Sequence, residues 1–268
     1  HQRAVAERIV TASGRTGEVA GAEETEDGGH EAQLVIVRLF RDTCTVSLDG
    51  SGELLHRRGY RLAAAKAPLR ETLAAALLLE NGWDPATPLL DPFCGSGTIP
   101  IEAALLARNI PPGYGRDFSC RHWVGWDEAK WRMILDTAHE CIRDRAPAPI
   151  IGADRDAGAI GMAGENAARA GVGDDIQFRR APLSALTPPD GIGALVSNPP
   201  YGVRVGERGD LRDLYARLGQ LARARLAGWR VTLLVPAERL ARQTGLDFHD
   251  SLRTKNGGIP VRVSNARV

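Results

Sequence analysis

The 268-residue sequence predicts an α/β protein, a mostly parallel sheet with helices on both faces that finishes in an antiparallel hairpin. Three observations carry this expectation. From about residue 70, short apolar runs alternate with helical segments of ten or more residues, the rhythm of crossover-connected parallel strands. The first such run, Leu89-Leu90-Asp91, opens into a glycine turn and then a helix, the arrangement at which open α/β sheets bind ligands. Near the end the alternation stops, and Asn256-Gly257, between Asp250–Lys255 and Val261-Arg262-Val263, signals a hairpin turn.

Taken in order, Val5, Ile9 and Val10 at helical spacing predict a short amphipathic helix, and the Gly-dotted acidic stretch from Glu18 to Glu31 a solvated loop. The runs from Leu34 to Phe40 and from Cys44 to Leu48, joined by Arg41-Asp42-Thr43, predict a hairpin. A helix and one hairpin cannot enclose a core, so residues 1–50 read as the tail of a small α+β domain. Residues 51–70 form a basic linker carrying His56, Arg57, Arg58, Arg61, Lys66 and Arg70 against Glu53 alone. Such a cluster is able to touch phosphates, or simply to be solvated. Leu69, Leu73, Ala76 and Leu77 mark a helix that ends near Asn81-Gly82, and Ile99 to Arg108 a second one. An insertion from Pro111 to Pro149 holds one further helix together with Trp123, Trp126 and Trp131, read as core or cover. Ile150–Asp154 is a strand, followed by an Ala-rich helix through Ala170-Gly171, and Ile176–Phe178 and Ala194–Ser197 are further strands. Leu211 to Leu226 is helical, with Leu211, Leu214, Tyr215, Leu218, Leu221 and Leu226 on one face, and Val231–Val235 is again a strand.

Composition narrows the function classes. With 34 Lys+Arg against 33 Asp+Glu the net charge is +1, which argues against a protein that coats nucleic acid by bulk charge and leaves room for a local basic face. Only Lys66, Lys130 and Lys255 are lysines; the remaining cations are arginines, whose planar fork suits phosphate and base contacts. No apolar run spans a bilayer, and the four cysteines show neither a C-x-x-C pair nor zinc-ligand spacing, so a reducing, cytoplasmic setting without a metal is expected.

The candidate chemistry lies in four loops. In Asp91-Pro92-Phe93-Cys94-Gly95-Ser96-Gly97-Thr98, the glycines allow a tight turn and close backbone approach to a ligand, and the helix start beyond them presents free N–H groups. A dinucleotide fingerprint would require glycine where Pro100 stands, and no P-loop is present. Asp154 ends the next strand, where a carboxylate can accept from ribose hydroxyls, whereas Asp156 is placed to cap the following helix. After the third strand comes Ala181-Pro182; the class I methyltransferases that the Asp91 to Thr98 string resembles often place an acidic adenine ligand where Pro182 stands, so the resemblance leaves backbone groups near Ala181 or Ser184 to substitute. Asn198-Pro199-Pro200-Tyr201 follows the fourth strand. An exocyclic amine is a poor nucleophile because its lone pair is delocalised into the ring. The Asn198 side-chain oxygen and the Pro199 carbonyl, aimed at its two hydrogens, can tilt that pair toward a methyl donor. Pro199 and Pro200 stiffen the backbone, and Tyr201 offers a flat face for a base. His56, His122, His139 and His249 have no convincing partners, and Ser96 and Ser197 lie outside any G-x-S-x-G elbow.

The string Asp91 to Thr98 resembles the nucleotide-side loop of class I S-adenosylmethionine-dependent methyltransferases, and Asn198 to Tyr201 resembles their amino-methyltransferase motif. Together with Ser51 to Arg61, Ala67 to Ala74, Asp91 to Ala104 and the Asn256-Gly257-Gly258 ending, these are similar to bacterial RNA guanine-N2 methyltransferases, which join an N-terminal THUMP RNA-binding domain to a Rossmann-like methyltransferase. The resemblance covers roughly residues 35–268. It implies a THUMP remnant in residues 1–50, a methyltransferase domain in 71–268, and S-adenosyl-L-methionine held by Asp91, Pro92, Phe93, Cys94, Gly95, Gly97, Thr98, Asp154, Asp156, Ala181 and Asn198. Its implied substrate is a guanosine N2 amine in structured RNA, 23S rRNA foremost. Transfer to tRNA guanine, to adenine N6 in DNA or to a protein glutamine amide, and a non-catalytic RNA-binding protein that kept the fold, are the alternatives.

Overall fold

In a computed structural model of the chain, the structure describes residues 33–62, 69–201 and 208–268, together with Glu7, Arg8 and Thr11. Val5, Ile9 and Val10 of the expected first helix, the acidic stretch Glu18–Glu31, and Lys66 with its neighbours Ala67 and Pro68 lie outside the described residues.

The chain divides into two compact units, residues 1–54 with 117–128, and residues 55–116 with 129–268. In the smaller unit, β1 (Val35–Phe40) and β2 (Thr43–Leu48) pair antiparallel, with Phe40 opposite Thr43. The turn is therefore Arg41-Asp42 rather than three residues, and both have positive φ (46° and 59°), which matches the right-handed twist of a hairpin. Part of the expected insertion belongs here: the Cys120 N–H donates to the Gly50 carbonyl (3.2 Å) and the Trp123 indole donates to Gln33 Oε1 (2.6 Å).

The larger unit contains α1 (Glu71–Asn81), β3 (Leu89–Asp91), α2 (Thr98–Ala107), α3 (Glu128–Glu140, all but its first residue), β4 (Ile150–Asp154), α4 (Ala157–Arg169), β5 (Ile176–Arg180), β6 (Ala194–Ser197), α5 (Arg208–Arg225), β7 (Arg230–Val235), α6 (Glu238–Arg242), β8 (His249–Asn256) and β9 (Ile259–Arg267). Its seven-stranded sheet has the order β5-β4-β3-β6-β7-β9-β8. Strands β3 to β7 run parallel, while β9 pairs antiparallel to β7 and to β8, as the sequence predicts. The register corrects one detail: Asn256 pairs with Ile259, so it is the last ladder residue and the turn is Gly257-Gly258.

Successive strand residues face opposite sides of a sheet, and here both sides are covered. Leu89, Ile150, Val196 and Leu234 join Leu77, Leu78, Ile101 and Ala104 in one core cluster. Their sequence neighbours Leu90, Ile151, Leu195 and Leu233 join Tyr215, Leu218, Leu226 and Trp229 in the other.

The expected basic linker is instead largely a strap of the larger unit. The Arg58 guanidinium meets Glu102 at 3.0 Å, Tyr60 is buried with its hydroxyl donating to the same carboxylate (3.0 Å), and Arg61 meets Glu71 at 2.9 Å. Arg58 and Arg61 are thus committed to buried ion pairs rather than to solvent, whereas Arg57 and Arg70 remain exposed. Burial, offset in part by Arg58 and Tyr60, raises the Glu102 carboxyl to about 7. Among the described residues no helix is long and apolar enough to cross a membrane, and no three His, Cys, Asp or Glu side chains gather as a metal would need.

Where α5 crosses the end of α6, a Cβ on Gly219 would lie 1.8 Å from the Thr244 carbonyl oxygen. Gly219→Ala should therefore destabilise the domain by more than about 2 kcal/mol, because backbone rather than a flexible side chain must move. Urea denaturation checks this, and an unchanged midpoint would contradict the packing described.

Candidate active site

The centre of the sheet sets the geometry. β3 has β4 on one side and β6 on the other, with Leu89 opposite both Ile150 and Ala194. This is the point where the strand order reverses, and the loops after neighbouring parallel strands open at the same edge. The glycine loop after β3 and the proline loop after β6 are therefore side by side.

A buried hydrogen bond joins them. Ser197 Oγ, on the last residue of β6, donates to Asp91 Oδ1 (2.5 Å), on the last residue of β3. The two residues are 0% and 1% exposed. The same Asp91 oxygen accepts the Phe93 N–H at 3.1 Å. Burial, opposed by these two hydrogen bonds and reinforced by the charge of Asp154, raises the Asp91 carboxyl to about 7. Asp91 is thus a strut between loops, and its neighbour Pro92 is also buried. Phe93 packs partly buried against the cluster that contains Leu90 and Leu195.

Several peptides of the glycine loop are held by hydrogen bonds. Cys94 N–H donates to the Ala153 carbonyl (2.9 Å), Gly97 N–H to the Cys94 carbonyl (2.8 Å), and the Gly95 N–H to Asp154 Oδ2 (3.1 Å). Buried Asn166 donates to the Ser96 carbonyl (3.0 Å) from α4. Gly97, at φ 86°, is the N-cap of α2, and a Cβ there would meet Ala163 at 3.0 Å and Phe178 at 3.1 Å. A Cβ on Gly95 would meet nothing within 4 Å, so that side of the loop faces open space. Thr98 is buried, with Arg61 3.4 Å from its hydroxyl. Burial also pushes the Cys94 thiol well up, which suits a small packing residue.

At the end of β4, Asp154 accepts the Gly95 N–H on one oxygen and the Asp156 N–H (2.9 Å) on the other. Each oxygen keeps a lone pair for a further donor. The Asp156 carboxylate caps α4, accepting from Gly158 (2.7 Å) and Ala159 (3.4 Å), the work the sequence favours for it. The Ala181 N–H donates to the Asp154 carbonyl (3.0 Å), so that amide is not available to an adenine ring and any contact there must come from other backbone groups.

Beyond β6, the Asn198 side-chain oxygen is buried and has no hydrogen-bond partner among the described residues. Pro199 is buried and Pro200 partly so. Tyr201 packs partly buried against the first core cluster, and its hydroxyl accepts a hydrogen bond from the Asn256 amide at 2.8 Å. Sequence reasoning did not single out Ser197, Asn166 or Asn256 as parts of the site. In the sequence Ser197 reads as a strand end outside any hydrolase elbow, and Asn256 as part of a hairpin turn and of the ending that carries the resemblance. The sequence does carry one usable signal, a hydroxyl residue directly before Asn-Pro-Pro-Tyr.

Comparison with known proteins places this geometry in context. Residues 58–263 match the domain described as UPF0020, RMKL-like, methyltransferase domain. YpsC of Bacillus subtilis (strain 168), named as a candidate RNA methyltransferase, is 38% identical over 258 residues, covering 96% of this chain and 65% of that protein. The ribosomal RNA large subunit methyltransferase K/L of Shewanella sp. (strain MR-4) is 39% identical over 235 residues, 85% of this chain and 33% of that protein. The chain thus spans about two thirds and one third of these curated relatives. Among solved structures, SMU.472, a candidate methyltransferase complexed with SAH, superposes with a TM-score of 0.82 at 29% identity, over 98% of this chain and 68% of that one.

The strut between the loops is testable through its proton. The folded Asp91 carboxyl keeps its proton to about 7, whereas an ordinary one releases it near 3.8. Between those values the folded state binds more protons, so stability falls as pH rises. Asp91→Asn keeps an acceptor for Ser197 and Phe93 and removes the titration. Wild-type stability should therefore decline relative to Asp91→Asn between about pH 4 and about pH 8, measured by urea midpoints. Parallel curves would contradict the assignment.

Proposed function

The chain belongs to the family of RMKL-like methyltransferase domains, and from that premise we propose that it moves a methyl group from S-adenosyl-L-methionine to the exocyclic N2 amine of a guanosine in structured RNA, foremost 23S rRNA. One observation carries the chemistry. Asn198 holds a buried carbonyl oxygen with no partner among the described residues, beside the loop that would hold the donor. Leaving such an acceptor unpaired costs about 1–3 kcal/mol, a cost that an arriving N–H donor removes. The names of the relatives support RNA as the substrate class, and the SAH complex of SMU.472 supports the cofactor.

The residues present suit that cofactor. Gly95 leaves open space where any other residue would project a side chain, and two backbone-anchored oxygens of Asp154 retain lone pairs for ribose hydroxyls. Pro92, Phe93, Cys94, Gly97 and Thr98 would shape the loop, with Asp91 fixing its position relative to Asn198. Asp156 would contribute through the cap of α4, and Ala181 through its carbonyl. Bound S-adenosylmethionine supplies a methyl group already activated by its sulfonium charge. The protein's task is then alignment. Asn198 Oδ1 and the Pro199 carbonyl would accept the two amine hydrogens and turn the nitrogen lone pair toward the methyl carbon. Pro199 and Pro200 limit reorganisation of those acceptors, and Tyr201 would stack on the guanine after it leaves its helix. A proton then leaves the methylated nitrogen for solvent.

Residues 1–50, with the β1–β2 hairpin, we assign to the end of a THUMP-like RNA-binding domain, and the setting to the cytoplasm. The exposed Arg57 and Arg70 remain free to approach phosphate.

Labelled methyl transfer to unmodified 23S rRNA, tRNA, duplex DNA and protein, followed by nucleoside analysis, tests the substrate. N2-methylguanosine from rRNA is expected, and N6-methyladenine alone would overturn it. Asn198→Ala should lower kcat by about 100-fold or more while leaving cofactor affinity unchanged by calorimetry. An equal loss of affinity would show that Asn198 serves the cofactor instead.

A further inference from the structure

We infer that Asn256, at the tip of the C-terminal hairpin, is a positioning residue that fixes the direction in which the Tyr201 side chain points. The inference rests on the reading of Tyr201 as the surface on which the target base stacks. Tyr201 follows two prolines that immobilise the backbone on one side of it. The core cluster packs against the ring, and a tie at its far end removes the remaining swing of the side chain about its first torsion. The tie comes from the far edge of the sheet: β7 and β9 lie between β6 and β8, and Asn256, the last residue of β8, reaches the residue that follows the proline pair after β6. There the Asn256 amide donates to the Tyr201 hydroxyl at 2.8 Å.

Three features make this more than the chance pairing of two polar groups. Asn256 is 7% exposed, so its amide has been withdrawn from water and needs a partner. It is the final paired residue of β8, opposite Ile259, and its backbone is therefore held by the ladder. The turn beyond it is the tightest available, Gly257-Gly258 with φ of 55° and 82°, which brings β9 straight back and leaves Asn256 little freedom. Ladder, side chain and phenol form a rigid chain from the edge of the sheet to the candidate base-stacking surface. A phenol tied at its hydroxyl and packed along its ring loses its rotational freedom before a base arrives, so that cost is not charged to substrate binding. The antiparallel end of the sheet thereby acquires a role in substrate geometry, apart from the cofactor side.

Steady-state transfer to unmodified 23S rRNA, with the intact protein, tests this in a double-mutant cycle of Asn256→Ala and Tyr201→Phe. Each single variant should lower kcat/KM for RNA by about tenfold, and the double variant should lose no more than either alone, with cofactor affinity unchanged throughout. Asn256→Asp, which lets the phenol donate instead, should recover most of the loss, a rescue that a general loosening of the hairpin would not show. If the alanine variant fails to fold, the aspartate variant compared with Tyr201→Phe carries the same decision. Unchanged kcat/KM in Asn256→Ala, or losses that multiply in the double variant, would overturn the inference. Tyr201→Ala separates the two levels. Loss of transfer there with none in Asn256→Ala sinks only the anchor, whereas full activity in Tyr201→Ala sinks the stacking surface and the anchor together.

Discussion

The hydrogen bond from Ser197 to Asp91 governs how the rest of the domain can work. It closes the gap between two parallel strands at the one place in the sheet where the chain leaves in opposite directions. A carboxylate withdrawn from water is costly unless hydrogen-bonded, and Asp91 is held by Ser197 and by the Phe93 amide. Those bonds fix the start of the glycine loop relative to the start of the proline loop. Methyl transfer is alignment-limited chemistry, and a displacement of about 1 Å between donor and acceptor costs about two orders of magnitude in rate. The distance between the two loops is the quantity that this bond controls.

Around the glycine loop, polar groups are ordered from several sides. Asp154 holds the Gly95 amide, Asn166 holds the Ser96 carbonyl, and a strap from residues 55–62 places Arg61 against Thr98 and Glu71 while Arg58 and Tyr60 share Glu102. Buried ion pairs of this kind add little net stability, because desolvation offsets attraction. Their effect is geometric. Removing one partner leaves a buried charge uncompensated, so the strap cannot drift from the helix that begins at Thr98. The raised Glu102 carboxyl expresses the same balance: the desolvation cost of burial outweighs the guanidinium beside it.

In the proline loop the economy is reversed. The Cys94, Gly95 and Gly97 amides and the Ser96 carbonyl of the glycine loop have partners, whereas Asn198 retains an acceptor with nothing to accept from among the described residues. A folded chain tolerates an unsatisfied group where function uses it. Tyr201, tied at its hydroxyl by Asn256, follows that acceptor by three residues, so the loop combines a buried acceptor without a partner among the described residues with a phenol held at its far end.

Much of this was legible without coordinates. Alternating apolar runs and helices determined the parallel sheet, since Leu89-Leu90, Ile150-Ile151 and Ala194–Val196 can be buried on both faces only between two layers of helix. Gly95 and Gly97 marked the loop, because few other residues fit their positive-φ conformations, Pro100 marked the helix start, and Asp156 announced itself as a cap. Local chemistry of this kind is written in adjacent residues. The partnerships that span the fold are not. Ser197 with Asp91 lies 106 residues apart in the chain, Asn256 with Tyr201 55, and Arg58 with Glu102 44. A serine at a strand end, an asparagine at a turn and an arginine in a basic stretch each have many possible neighbours. Strand order, register and the packing of helices on the sheet choose among them, and those are settled by the simultaneous burial of all the elements rather than by any one segment.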